Sequence, residues 1–190
     1  AAGETVTLMG ASGSGKSSLL AFIAGDLPRA MQGQGDVMLN RTALNRLPPE
    51  RRGLGRLFQD DYLFPHMTVG ENLLFAIPAG PREERQQLMA QALQDCGLDG
   101  FAARPPHSLS GGQRARVALM RALLAKPAAI LLDEPFSKLD RPLRASIRAF
   151  TFAHISNRRI PALLVTHDRE DVPPGGRVLE ILEDGTLHHV

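Results

Sequence analysis

One cysteine, one tyrosine and no tryptophan occur in 190 residues, and aromatics make up only 5% of the chain. The lone Cys96 leaves no partner for an intrachain disulfide, which excludes a disulfide scaffold and fits a reducing compartment. Its place on an apolar helical face reads as a buried thiol rather than a reactive one. Scarce aromatics and a formal net charge of +2 speak against a stacking platform for nucleic acid. The basic residues are nearly all Arg and are interleaved with acids, as in PREERQQ at 81–87, the pattern of a solvated face. No apolar run approaches the roughly 20 residues that cross a bilayer. The sequence as given opens on no charged-then-apolar leader. Any membrane role is therefore expected to come through a partner.

What is present is ordinary globular composition, 43% hydrophobic and 22% charged, in a length that suits one domain with an inserted lobe. TVTLM (residues 5–9) reads as a short strand feeding a glycine loop, and 16–24 as a helix stopped by Gly25 and Pro28. Short strands are expected near 36–39 and 54–58, each bracketed by turn residues. From Thr68 the character becomes helical, over 69–77 and 82–96, the latter with Leu88, Ala92, Leu93 and Cys96 on one face. Pro105 and Pro106 break that pattern before a helix at 114–125. AAILL (128–132) is a continuous apolar run that fits a strand buried on both faces of a parallel sheet. A helix at 141–155 and strands at 162–165 and 178–182 follow, with EDGT (183–186) as a hairpin turn. Strands alternating with helices give an α/β class with a parallel sheet. The expected organisation is a single domain over 1–190, with 1–67 and 127–190 as the core and 68–126 as an inserted helical part.

The first glycine loop carries chemistry. Gly10, Ala11, Ser12, Gly13, Ser14, Gly15, Lys16 and Ser17 match G-x-x-x-x-G-K-[ST] without a mismatch, with Ser18 following, between a strand and a helix as the motif requires. Successive N–H groups curl around phosphate oxygens there, Lys16 brings a point charge to the β- and γ-phosphates, and the Ser17 hydroxyl is a ligand for Mg²⁺. A chance match has odds on the order of one per cent for a chain of this length at average glycine usage. In AAILLDEP, Asp133 and Glu134 stand where an apolar strand ends, the edge at which open α/β sheets bind ligands. Asp133 suits Mg²⁺, through water, and Glu134 suits polarising a water aimed at the γ-phosphate; a solvated turn is the plainer alternative. Gln59 and His167 each follow a strand candidate. Gln59 could ligate Mg²⁺ or position a water, and His167 could hydrogen-bond the γ-phosphate. His66, His107, His154, His188 and His189 show no metal-ligand spacing.

LSGGQ (109–113) is a second glycine-rich helix opening. Its composition suits a helix cap, and equally an anion site in which the helix N-terminus and the Ser110 hydroxyl meet a phosphate.

LSGGQ, with the phosphate loop before it and LLDEP after it, resembles the ATP-binding subunits of ABC transporters, over essentially the whole chain and in matching order. Gln59 lines up with that family's Q-loop, Ser110, Gly111, Gly112 and Gln113 with its signature, SKLD and its Asp140 with its D-loop, and His167 with its switch histidine. The resemblance implies a P-loop NTPase (RecA-like) core and a head-to-tail dimer enclosing two ATP, each between one chain's phosphate loop and the other's LSGGQ. It implies Glu134 as general base and Mg²⁺ held at Ser17, Gln59 and Asp133. It also implies an integral membrane permease contacting DYLFPHMTVGEN (Asp61 through Asn72), with a solute-binding protein as an indirect partner and no nucleic acid. FQDDYLFPHMTVGENL is similar to the ATPases of bacterial small-solute importers, which work on the cytoplasmic side of the cell membrane.

Two departures go with the resemblance. ATPases of this type carry, upstream of the phosphate loop, an adenine-stacking aromatic and strands of an antiparallel β part. No aromatic stands between Ala1 and Gly10, so that part is expected to be truncated here and ATP to bind more weakly, by about 1–3 kcal/mol. Lys138 stands in SKLD where small residues are common. A soluble ABC ATPase outside transport, or a nucleotide-binding module without efficient hydrolysis, are the alternative readings. The transported solute is not written in these residues.

Overall fold

The structure, a computed structural model, describes residues 3–182 and 185–190. By its own internal contacts the chain divides into two compact units. The first comprises Ala1–Arg56, Ala128–Glu134 and Ile155–Val190, and the second Leu57–Pro127 and Pro135–His154.

The first unit is built on a sheet. Its strands are β1 (Thr5–Gly10), β4 (Leu54–Leu57), β5 (Ala129–Asp133), β6 (Ala162–Val165), β7 (Arg177–Ile181) and β8 (Leu187–His189), in the order β4-β5-β6-β1-β7-β8. β1 runs parallel to β6 and β7, and β5 runs parallel to β6, while β8 returns antiparallel on β7. The register lines Asp133 up with Val165 and Val165 with Leu8. The residues after each of these positions therefore emerge at one carboxyl edge. Ile130, Leu132, Leu164 and Leu8 are essentially without solvent contact, as strands covered on both faces must be. Helix α1 (Lys16–Ala24) contributes Leu20 to a cluster with Leu8, Leu131 and Val165.

Helix α1 ends at Gly25, whose φ of 86° is the left-handed conformation of a helix C-cap. Arg52 closes that end: Nη1 donates to the carbonyls of Phe22 and Ile23 at 3.0 and 2.7 Å, and Nε to that of Leu47 at 3.0 Å. Arg52 is buried, so the scattered arginines are not uniformly the solvated face the sequence suggests. The expected strand near 36–39 is the two-residue β2 (Met38–Leu39), paired antiparallel with β3 (Thr42–Ala43). Asn40 and Arg41 both have positive φ, 48° and 65°. Two such residues make the tight turn whose twist matches a hairpin. The hairpin turn expected at 183–186 falls partly outside the described residues.

The second unit is mainly helical: α2 (Val69–Ala76), α3 (Arg82–Asp95), α4 (Gly111–Leu124) and most of α5 (Arg141–Asn157). Thr68 and Glu71 cap α2 reciprocally, a capping box written in the sequence as T-x-x-E. On α3 the buried positions are Met89, Ala92 and Leu93, continued by Cys96. Leu88, expected on that face, is 40% exposed; the stripe i, i+3, i+4, i+7 begins one residue later, at Met89. Helix α4 starts at Gly111 rather than 114, because Ser110 and Gln113 cap it reciprocally and draw both glycines into its first turn. Asn72, wholly buried, donates from its amide to the carbonyls of Phe64, Met67 and Thr68 and accepts from Phe64 N–H. It ties the preceding loop to α2.

Candidate functional site

In the first unit, the loop after β1 turns through Gly13 and Gly15 at φ of 82° and 91°, with nothing within 4 Å of where a Cβ would stand on either. Glycine meets that backbone at no steric cost and leaves the loop's mouth open for an anion. Lys16 is buried, and its Nζ donates to the carbonyls of Gly10 and Ala11 at 2.9 and 2.7 Å and to Ser14 Oγ at 3.3 Å. Its ammonium is thereby held within the curl of its own loop. Ser17 Oγ donates to Asp133 Oδ1 at 2.8 Å across 116 residues of sequence. A hydroxyl and a carboxylate that converge like this are hard oxygen donors of the kind Mg²⁺ takes in small number beside substrate phosphates. Among the described residues no group of three or more His, Cys, Asp or Glu could hold a metal ion.

Glu134, directly after β5, has a φ of 46°, a conformation costly for a side chain of this kind and typical of functional sites. Its N–H is fixed by the carbonyl of Val165 at 2.9 Å, and its Oε1 lies 3.2 Å from His167 Nδ1. Beyond His167, the buried Asp171 accepts from Thr166 Oγ1 at 2.7 Å, and that oxygen accepts from Asp168 N–H. The strand end is thus braced on both sides of the histidine. Within this unit the structure brings together the loop Gly10 to Ser18, Asp133, Glu134 and His167.

Gln59, Ser110, Gly111, Gly112, Gln113 and Asp140 belong to the second unit. Ser110 Oγ accepts from Gln113 N–H at 3.3 Å, and Gln113 Oε1 accepts from Ser110 N–H at 2.9 Å. The helix-cap reading of LSGGQ holds, and the cap leaves the Ser110 hydroxyl hydrogen available as a donor. A Cβ on Gly112 would come 2.4 Å from Leu143 Cδ1, whereas one on Gly111 would meet nothing. Asp140 caps α5, accepting from Leu143 N–H at 3.0 Å. Gln59 and Gly111 line a cavity of about 140 Å³ with Asp60 and Lys138, and Lys138 pairs with Asp60. Arg114 Nε bonds Asp61 at 2.8 Å, and Arg121 reaches the Asp61 carbonyl and the Asn72 side chain, both at 3.2 Å. Burial pushes the Arg121 guanidinium's pKa down.

A phosphate loop between a parallel strand and a helix, with a carboxylate pair at the end of β5, one strand removed in the same sheet, defines a P-loop nucleoside triphosphatase. The family described as "ABC transporter" matches residues 1–137. Among curated relatives, the uncharacterized ABC transporter ATP-binding protein YnjD of Escherichia coli is 46% identical over 95% of this chain and 84% of its own. The sulfate/thiosulfate import ATP-binding protein CysA of Mycobacterium bovis is 40% identical over 99% of this chain and 53% of its own. The Fe(3+) ions import ATP-binding protein FbpC of Mesorhizobium japonicum is also 40% identical, over 100% and 53%. The chain thus spans most of YnjD and about half the length of the two named importers' ATPases. Among solved structures, a post-hydrolysis dimer of the ATP-binding cassette MJ0796 bound to ADP and Pi superposes with a TM-score of 0.78. It is 31% identical and covers 100% of this chain and 86% of that one. The chain belongs to the ABC transporter family, as one of its ATP-binding subunits.

Proposed function

We infer that this chain binds and hydrolyses ATP to energise a bacterial importer, working as a head-to-tail pair of copies with two nucleotides between them. The observation that carries the reading is the one-edge arrangement of the first unit: Ser17 on Asp133 at 2.8 Å and Glu134 by His167 at 3.2 Å, beside the open loop. Lys16 and the loop N–H groups hold the β- and γ-phosphates. Ser17, Asp133 and Gln59 would hold Mg²⁺, which supplies charge to offset the phosphate oxygens. Glu134 takes the proton of the attacking water, and His167 orients by hydrogen-bonding the γ-phosphate. The partner's Ser110, Gly111 and Gly112 would close the far side of the nucleotide, with Gln113 capping their helix and Asp140 as a further contact.

Gly111 favours that arrangement. Beyond its own helix backbone the chain places nothing near a Cβ there, which leaves room for a group from another copy to approach. The segment 61–72 suits contact with a permease: Tyr62 within it and Phe75 just beyond it on α2 are 60% and 64% exposed, and the loop is fixed by Asn72, Arg114 and Arg121. No helix among the described residues is long and apolar enough to cross a membrane; in this reading the permease gives attachment at the cytoplasmic face. Core segments 1–67 and 127–190 would then serve nucleotide chemistry, with 61–67 beginning the permease contact, and 68–126 would carry the signature and the rest of that contact. Phosphate release by Glu134→Gln tests the reading. That variant should retain ATP binding and lose hydrolysis by a hundredfold or more, on the order of the general-base contribution; rapid turnover would remove Glu134 from the role.

A further inference from the structure

Four polar side chains of the first unit form one continuous circuit. Ser17 Oγ donates to Asp133 Oδ1 at 2.8 Å. Arg56, on β4, donates from Nη2 to Asp133 Oδ2 at 3.2 Å and from Nη1 to Asp26 Oδ2 at 2.6 Å. Ser17 stands in the first turn of α1, and Asp26 directly follows its C-cap Gly25. The circuit leaves one end of α1, crosses β5 and β4, and returns to the other end. The side chains of Arg56 and Asp133 are only 15% and 13% exposed, against 45% for Asp26. Partial burial strengthens charge-assisted bonds of this kind. Each oxygen of Asp133 has its own donor: the guanidinium takes Oδ2, and Oδ1 is left directed at Ser17.

We propose that Arg56, anchored by Asp26, is a positioning residue for the metal–nucleotide site: it fixes the torsion of the Asp133 carboxylate so that Oδ1 faces the phosphate loop. This rests on the reading of Ser17 and Asp133 as the magnesium-holding pair. Orientation and bare charge make opposite forecasts. A cation beside Asp133 repels a second cation, so if charge were all that mattered, removing Arg56 would tighten divalent binding. If orientation dominates, removing it loosens binding, as the loss of outer partners does at metal sites generally.

The test uses Mn²⁺ as the probe, titrated by electron paramagnetic resonance in the presence of saturating ATP, with ATP binding in EDTA measured alongside. Arg56→Met should bind ATP in EDTA as the unaltered protein does, and should bind Mn²⁺ roughly tenfold more weakly. Arg56→Lys should recover only part of the loss, because one ammonium cannot bridge two carboxylates as a planar fork can. Asp26→Asn should shift Mn²⁺ binding in the same direction by less; lying at the exposed end of the circuit, it keeps the test available if Arg56→Met fails to fold. Unchanged or tighter Mn²⁺ binding in the folded variants overturns the proposal. Failure of the unaltered protein to bind ATP would instead overturn the reading of the site itself.

Discussion

Gly111 and Gly112 are adjacent, yet their surroundings assign them different duties. A methyl on Gly112 drives into Leu143 Cδ1 at 2.4 Å and crowds its Cγ at 3.2 Å. Gly112→Ala should therefore cost about 1–3 kcal/mol through overpacking, read as a lower urea midpoint. Gly111→Ala should leave that midpoint unchanged or slightly raised, since alanine is the better helix former, while weakening any ATP-dependent pairing of copies. Equal stability losses at both positions would contradict the assignment. Cys96 is a second case where surroundings decide. Burial pushes its thiol up to about 12, against about 8.5 in an unfolded chain. A raised folded value means the linked stabilisation is present below pH 8.5 and is lost as pH rises toward 12. A thiol reagent at pH 8 should accordingly label Cys96 only as fast as the chain opens; prompt labelling of the native protein would show that it is accessible.

Helix termini decide the element scale. Gly25 needs its left-handed φ, and a Cβ there would also meet Arg52 Nε at 2.5 Å and Cζ at 2.6 Å. Arg52 has no room to yield, because its guanidinium is bonded to three carbonyls. Gly25→Ala should lose about 2–4 kcal/mol, from backbone strain and displaced charge-assisted bonds together. Arg52→Met should lose about 1–3 kcal/mol by leaving the Phe22 and Ile23 carbonyls without that donor. Urea unfolding of both checks this, and a neutral Arg52→Met would mean water caps the helix equally well. These termini also mark what the sequence could and could not disclose. G-x-x-x-x-G-K-S, LSGGQ and the AAILLDEP strand end were legible because each is local, a run of adjacent residues whose spacing is itself the chemistry. Arg52 and Arg56 were not, because their partners lie 29 or more residues away for α1 and 77 away for Asp133, and nothing local separates a buried arginine from a solvated one. The β2–β3 hairpin escaped for a related reason: its turn places Arg41, no usual left-handed residue, at positive φ.

At the scale of the molecule, two glycine-rich helix openings lie in two separate compact units, and the proposed function uses both for phosphate. On the proposed reading the phosphate loop would cradle one side of a nucleotide and leave its γ-phosphate facing outward, with Glu134 and His167 at the same edge. The α4 opening presents the dipole of a fourteen-residue helix, a hydroxyl hydrogen at Ser110 and an uncrowded Gly111, so it is equipped to meet an anion that its own cap does not supply. A second copy offers the complement to each half. Glu134→Gln, which should hold ATP without consuming it, isolates this step. Light scattering behind a sizing column should show its mass doubling with MgATP and not with MgADP, because the γ-phosphate is the group the second opening meets. Adding Gly111→Ala should suppress the doubling while ATP binding to the single copy persists. A doubling that occurs equally with ADP, or that survives a methyl on Gly111, would locate the contact between copies away from LSGGQ and return that motif to a helix cap alone.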